Sequence, residues 1–426
     1  MAHTTRRAFT RLGMLLPAVS LLPAVSLLPR RADAADGPVR IGCPYPLSGN
    51  AASAGQSTKT AIEVAVDIIN NAHPELGKLP LAATAGLPGL GGRKVEAVFA
   101  DHEGNPASAQ SDTLRLITQD HVVALAGCYQ SSCTLTASAA AERYGVPFMA
   151  PESASPNLTE RGFKWFFRST PIGTDFGVAY ADFLTELKAK GTKVEQVAVV
   201  NENTEYGTST GDAIIKAVTA KGLKADLRIP YNANSSDVSA QVLQLKNANP
   251  DVVVFISYTS DSILFLKTMH NLGYKPPVVI GDDSGFSDNA FVEAVSDLAQ
   301  GDINRSSFDI GKPGGVPYIV NEMFHKASGR DMDDTSARGM QGFLALMEAI
   351  NRAGATEPAK IQAALRSQDL KPDQLMIGYK GIRYDAKGQN TLASTLLVQL
   401  AGKKYVAVWP DSSAVQTLAL PFKGWE

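Results

Sequence analysis

From Val39 onward, short apolar runs alternate with stretches whose apolar residues recur at helical spacing, and this alternation leaves few folds open. VRIGCPY reads as a strand, and STKTAIEVAVDIIN, apolar at positions 61, 62, 65, 66 and 69, reads as a helix. KVEAVFA, VVALAGC and VPFMAPE continue the strands, with PASAQSDTLRLIT and TLTASAAAERYG as helices between them. A strand that returns to its sheet through a helix lies parallel to its neighbour, so the series predicts a parallel sheet with helices on both faces. After FKWFFRSTP the rhythm begins again. QVAVV, ADLRIPY, DVVVFIS and PPVVIGD are strands; GTSTGDAIIKAVTAKG, SDVSAQVLQLKNANP and SDSILFLKTMHNLG are helices. Two α/β sheets whose carboxyl strand ends face each other enclose a cleft, where open sheets of this kind hold ligands. The last third breaks the pattern, with amphipathic helices over PYIVNEMFHKASG and SARGMQGFLALMEAINRAG and a closing hairpin over TLLVQLAGKKYVAVWP.

Size and charge agree with two lobes and exclude some partners. The chain's 426 residues exceed one average domain, and its 44% hydrophobic and 19% charged residues suit full-sized cores. A net charge of −2 and the lack of a long basic run after residue 31 argue against nucleic acid. Residues 1–34 read as an export signal: TTRRAFTRLG supplies the charge, Leu12 to Leu28 the apolar stretch, and Ala32 and Ala34 the small-x-small cleavage site. The apolar stretch is too short for a membrane anchor and is broken by Pro17 and Pro23. Arg6-Arg7 followed by Phe9 resembles a twin-arginine signal; a general secretory signal with a chance arginine pair is the alternative. The exported chain is expected to be soluble and periplasmic.

Several motifs with chemical potential have plainer readings. GTSTG, residues 207–211, matches a nucleophile elbow, but NENTEY separates it from the strand, which places Ser209 in the first helical turn. The histidines are scattered, and no pair has the spacing of metal ligands on a helix, so neither a metal nor a cofactor is expected. The glycines of LPLAATAGLPGLGGR, residues 79–93, follow no strand and predict a surface loop. Cys43 reads as a small core residue. GCYQSSCT, residues 127–134, has too few soft ligands for zinc and the wrong spacing for a redox pair. A local disulfide between Cys128 and Cys133 stays open, as does a helix start whose free N–H groups and serine hydroxyls hold an anion.

PLSGNAASAGQSTKTAIEVAVDIIN, GCYQSSCTLTASAAAERYGVPFMAPESASPNLTERG, FFRSTP and VNENTEYG, in that order and spacing, resemble the periplasmic leucine/isoleucine/valine-type binding proteins of ABC importers. The resemblance implies two Rossmann-like lobes joined by three crossover segments near RSTP, SSFDI and KGQNT. Lobe one would comprise residues 36–172 plus 306–390, and lobe two residues 173–305 plus 391–426. It also implies a ligand carboxylate held by Ser131, with Ser132 beside it, and by the PESAS loop. There the usual hydroxyl position is Ala154, so Ser153 takes that part, and Glu152 is an unexpected acid nearby. Tyr206 and Tyr258 would close over the ligand from the second lobe, and Asp283 would pair with its ammonium. Three positions depart from the family pattern: Ala54 stands where a tyrosine is common, Arg338 where an aromatic wall is common, and Gly104 and Gln130 where a cysteine pair is common. Arg338 points toward an acidic or aromatic-acid ligand. The plainer readings are lobe-surface aromatics for the two tyrosines and a turn residue for Asp283.

The expectation is therefore a monomeric periplasmic solute-binding protein that captures an amino acid or related small carboxylate and delivers it to an ABC permease. A ligand-sensing subunit of a membrane receptor and a secreted serine hydrolase using Ser209 are the alternatives.

Overall fold

The repeated alternation is realised as two separate sheets. The computed structural model describes residues 37–425; the export signal expected over residues 1–34 lies outside the described residues. The first series runs β1 (Val39–Tyr45), α1 (Ala52–Asn70), β2 (Val95–Asp101), α2 (Pro106–Thr118), β3 (Ala124–Ala126), α3 (Ser131–Tyr144), β4 (Phe148–Ala150) and β5 (Phe166–Arg168). The second runs α4 (Gly173–Ala189), β6 (Gln196–Glu202), α5 (Glu205–Ala220), β7 (Lys224–Tyr231), α6 (Ser239–Ala248), β8 (Val252–Ile256), α7 (Thr259–Asn271), β9 (Val278–Asp282), α8 (Ser284–Ser287), α9 (Asn289–Val295) and β10 (Ile303–Ser306). The chain closes with α10 (Val316–Ser328), α11 (Asp334–Ala353), α12 (Pro358–Arg366), β11 (Leu396–Ala401) and β12 (Lys404–Trp409).

Sheet one is wholly parallel in the order β2-β1-β3-β4-β5. Sheet two has the order β12-β11-β10-β9-β8-β6-β7, parallel except where β11 meets β10 and β12. Strands covered on both faces can be apolar throughout, and β8, Val-Val-Val-Phe-Ile, is buried along its whole length. The chain passes between the sheets three times: after β5, after β10, and between α12 and β11. Meanwhile α10 and α11 pack on α1, so part of the C-terminal third covers sheet one while its hairpin extends sheet two. Close packing of α11 needs two glycines. A Cβ on Gly339 would lie 2.4 Å from Thr58 Cγ2, and one on Gly342 would lie 2.6 Å from Pro151 Cβ.

Some elements differ from the sequence pattern for local reasons. VVALAGC yields only the short β3, because the Cys128 N–H turns to Thr134 Oγ1 (3.1 Å) and the Gln130 N–H to the Cys128 carbonyl (3.0 Å). Pro147 and Pro151, which cannot donate to a ladder, bracket β4. The 79–93 loop contains a single 3-10 turn at Pro88–Leu90. No helix among the described residues is long and apolar enough to cross a membrane.

The strand orders also say where a ligand would sit. Sheet one reverses direction of build between β1 and β3, and sheet two between β6 and β8. The loops leaving the carboxyl ends at such switch points diverge and leave a crevice. Those loops carry Tyr129 and Ser131 from sheet one, and Tyr206 and Tyr258 from sheet two.

Candidate ligand-binding site

On the side of sheet one, the site begins at the first turn of α3. Gln130 precedes the helix in an extended conformation without a side-chain cap, so the first N–H groups have no helical acceptor. Ser131 is buried, and its Oγ accepts the Ser155 N–H at 3.2 Å. Ser132 is half-buried at the next position. Ser153 is also buried and donates to the Tyr129 carbonyl at 2.8 Å. Its hydroxyl proton is thereby used, so the 2.6 Å contact with Thr134 has Thr134 as donor. The result is a polar relay from the Cys128 N–H through Thr134 and Ser153 to Tyr129, which fixes the loop against the helix start. Ala154, buried beside it, accepts the Gly173 N–H at 2.9 Å.

Two tyrosines approach from the side of sheet two. Tyr206 lies in the first turn of α5, and Tyr258 immediately precedes α7. Their ring centroids are 5.5 Å apart, and the Tyr258 ring lies 5.8 Å from that of Tyr129, so aromatic contacts join the two lobes. The Tyr206 hydroxyl donates to Asp282 Oδ2 at 2.6 Å.

Behind the tyrosines lies a buried charge cluster. Arg305 on β10 donates Nε to Asp282 Oδ1 (3.0 Å), pairs through Nη2 with Asp283 Oδ2 (2.9 Å), and stacks 3.5 Å from the Phe176 ring centroid. Arg338 on α11 pairs with Asp283 Oδ1 through Nη2 and with Asp334 Oδ2 through Nε (2.8 Å). Its Nη1 donates to the Glu152 carbonyl (3.1 Å) and to Thr170 Oγ1 (3.2 Å). Both guanidinium groups are wholly buried. Burial alone would discharge them, but the carboxylates around them prevail and hold both protonated. Glu152 behaves differently. Its carboxyl, which accepts the Tyr45 hydroxyl at 3.1 Å, is pushed up to about 8, chiefly by burial, with the charge of Asp283 adding and Arg338 opposing. At neutral pH it is therefore largely a neutral acid.

The structure thus gathers Ser131, Ser132, Ser153 and Ala154 at one loop pair, sets Tyr206 and Tyr258 opposite, and joins Asp283 directly to Arg338. Sequence reasoning missed Tyr129, Asp282, Arg305 and Asp334. Two signals were present: an arginine inside the strand-like INRS, and Asp334 four residues before Arg338 on one helix face. Ser209 lies in the second turn of α5 and donates to the Glu205 carbonyl at 2.6 Å, so the geometry is not that of an elbow after a strand. Cys43, Cys128 and Cys133 are free, buried thiols; burial pushes Cys133 up to about 12, which suits packing rather than reaction. Gly104 faces the Gln130 side chain, so the two positions stand together without a cysteine at either. Ala54 is buried in α1.

The described geometry has relatives. The periplasmic binding protein family model matches residues 38–404. Leu/Ile/Val-binding protein homolog 8 of Brucella abortus is 30% identical over 414 residues, covering 95% of this chain and 98% of the relative. Among solved structures, the branched-chain amino acid transporter substrate-binding protein LivJ of Streptococcus pneumoniae, in complex with isoleucine, is 20% identical. It superposes with a TM-score of 0.73 over 87% of this chain and 98% of its own. A solute-binding protein of an ABC transporter from Rhodopseudomonas palustris BisB5, in complex with 3,4-dihydroxybenzoic acid, is 18% identical, with a TM-score of 0.72 over 91% and 99%. With two mostly parallel sheets, three passages between them and a family model matching most of its length, the chain belongs to the periplasmic binding protein family of substrate-binding proteins.

Proposed function

We propose that the protein captures an amino acid or related small carboxylate between its lobes in the periplasm and hands it, as a monomer, to an ABC permease. The observation that carries this reading is the meeting of both switch-point loop pairs, with Ser131 and Ser153 on one side and Tyr206 and Tyr258 on the other. The first turn of α3 offers uncapped N–H groups and the positive end of the helix dipole, to which Ser131 and Ser132 add hydroxyls; the Ser153-Ala154 loop flanks them. Tyr206 and Tyr258 form the facing wall, and the Asp283–Arg338 pair closes the far end. Lobe one then comprises residues 36–172 plus 306–390 and lobe two residues 173–305 plus 391–426, hinged at the three crossovers. Ligand contacts to both lobes favour the closed arrangement. Isoleucine and 3,4-dihydroxybenzoic acid, the ligands of the two structural relatives, share a carboxylate, which is the group this helix start suits.

Calorimetric titration of the chain purified from the periplasm against amino acids, aromatic acids and dicarboxylates tests the reading. At least one carboxylate should bind saturably, and Ser131→Ala should weaken it by about 1.5–3 kcal/mol, roughly ten- to a hundredfold. Failure of every carboxylate to bind would overturn it. The export route proposed is the twin-arginine one, from the Arg6-Arg7 pair in the N-terminal signal. Replacing both arginines by lysine should leave precursor in the cytoplasm; an unchanged periplasmic yield would point to the general secretory route.

A further inference from the structure

We infer that the cleft selects small carboxylates without an α-ammonium group, because Arg338 and Arg305 of the chain itself already occupy Asp283. This inference rests on the carboxylate-binding cleft proposed above. Asp283, the acid expected to pair with a ligand ammonium, has both of its oxygens engaged: Oδ1 by Arg338, and Oδ2 by Arg305 at 2.9 Å. Both guanidinium groups are held on several sides while the lobes are together. Arg338 is also held by Asp334 (2.8 Å), the Glu152 carbonyl (3.1 Å) and Thr170 (3.2 Å), and Arg305 by Asp282 (3.0 Å) over the Phe176 ring. Removing either from Asp283 would leave buried charges uncompensated.

An arriving ammonium would therefore find both Asp283 oxygens already paired, and could reach one only by displacing a guanidinium that has no other place to put its charge. Asp282, Asp334 and Glu152 offer no better partner. Asp282 takes Tyr180 (2.6 Å) and Arg305 on Oδ1 and Tyr206 (2.6 Å) on Oδ2, so hydroxyls satisfy what the arginine does not. Asp334 takes Arg338 together with the Ser307 N–H at 2.6 Å. Glu152 is neutral until about pH 8. The arginine from α11 thus stands where the ligand's own cation would otherwise be needed. What remains for the ligand is a carboxylate toward α3 and an apolar or aromatic body against Tyr129, Tyr206 and Tyr258.

Matched pairs decide the matter. Phenylalanine against hydrocinnamate and leucine against isocaproate, with benzoate as an aromatic acid, are titrated into the chain purified from the periplasm. The deaminated member of each pair should bind at least about tenfold more tightly. Equal or tighter binding of the amino acid overturns the inference and leaves the carboxylate cleft standing. Absence of binding throughout both series sinks the cleft, and this inference with it. Arg338→Met gives a second reading, since it frees one oxygen of Asp283. The preference for the deaminated acid should then narrow by at least about tenfold, and an unchanged preference counts against the inference. Should that variant fail to fold, the ranking in the unaltered chain decides alone.

Discussion

Glu152 is a carboxyl that the native protein keeps protonated where the unfolded chain would ionise it. Its ordinary value is 4.5, and burial raises it to about 8, so over that window unfolding releases a proton. Stability therefore falls as pH rises from about 4.5 to about 8 and levels off above it. Asp261 and Asp333, each raised to about 6 mainly by burial, tilt the curve the same way over a narrower range. Glu152→Gln keeps an acceptor for Tyr45 and removes the titration. Thermal unfolding across pH should show a smaller fall in Tm between pH 5 and pH 8 in this variant than in the parent. A fall of the same size in both would mean that Glu152 is ionised in the native state. At this scale the sequence was only partly legible. The family resemblance names Ser131 and the two tyrosines, whereas nothing in the sequence pairs Arg338 with Asp283. Asp283, just after β9, lies far from α11 along the chain, and no periodic pattern records which buried charges meet.

Elements were the most legible level, because a face buried at a regular interval leaves its mark in the composition of each run. The strand VRIGCPY and the helix PASAQSDTLRLIT have the bounds their patterns implied. Helix α4 left a fainter mark: Phe176, Tyr180, Phe183, Leu184 and Leu187 are buried, but glycines and aspartates are interspersed among them. Glycine in a helix interior ordinarily costs about 1 kcal/mol relative to alanine, so Gly339 and Gly342 in α11 look like weak points until their neighbours are seen. Beside Gly339 an added methyl would meet Thr58 Cγ2 at 2.4 Å and Glu152 Oε1 at 2.5 Å. Gly339→Ala should therefore lower stability by about 1–3 kcal/mol despite the better helix former. Denaturant unfolding measures it, and a more stable variant would show slack between α1 and α11.

Across the whole molecule, the two lobes meet along a polar seam. Glu205 of α5 accepts from Ser155 Oγ (2.7 Å) and Asn157 Nδ2 (2.9 Å), and Asp288 accepts from Ser53 Oγ at 2.6 Å. Asn289 donates to the Asp331 carbonyl at 3.0 Å, and Arg338 reaches Asp283 deeper in. Glu205→Ala removes two of these bonds from the rim and leaves Ser131, Ser153 and the tyrosines in place. Small-angle scattering should then find a larger radius of gyration in the empty variant and the parental value once ligand is saturating; identical empty values would show that the rim contacts do not hold the lobes together.

The Arg338–Asp283 bond has a further consequence for traffic. Arg338 and Asp283 both belong to the chain, so this bond between the lobes contains no ligand atom. Part of what favours closure then comes from the chain and not from cargo, so lobe separation by itself is an incomplete report of occupancy. Efficient delivery requires a cue that only the loaded cleft can produce.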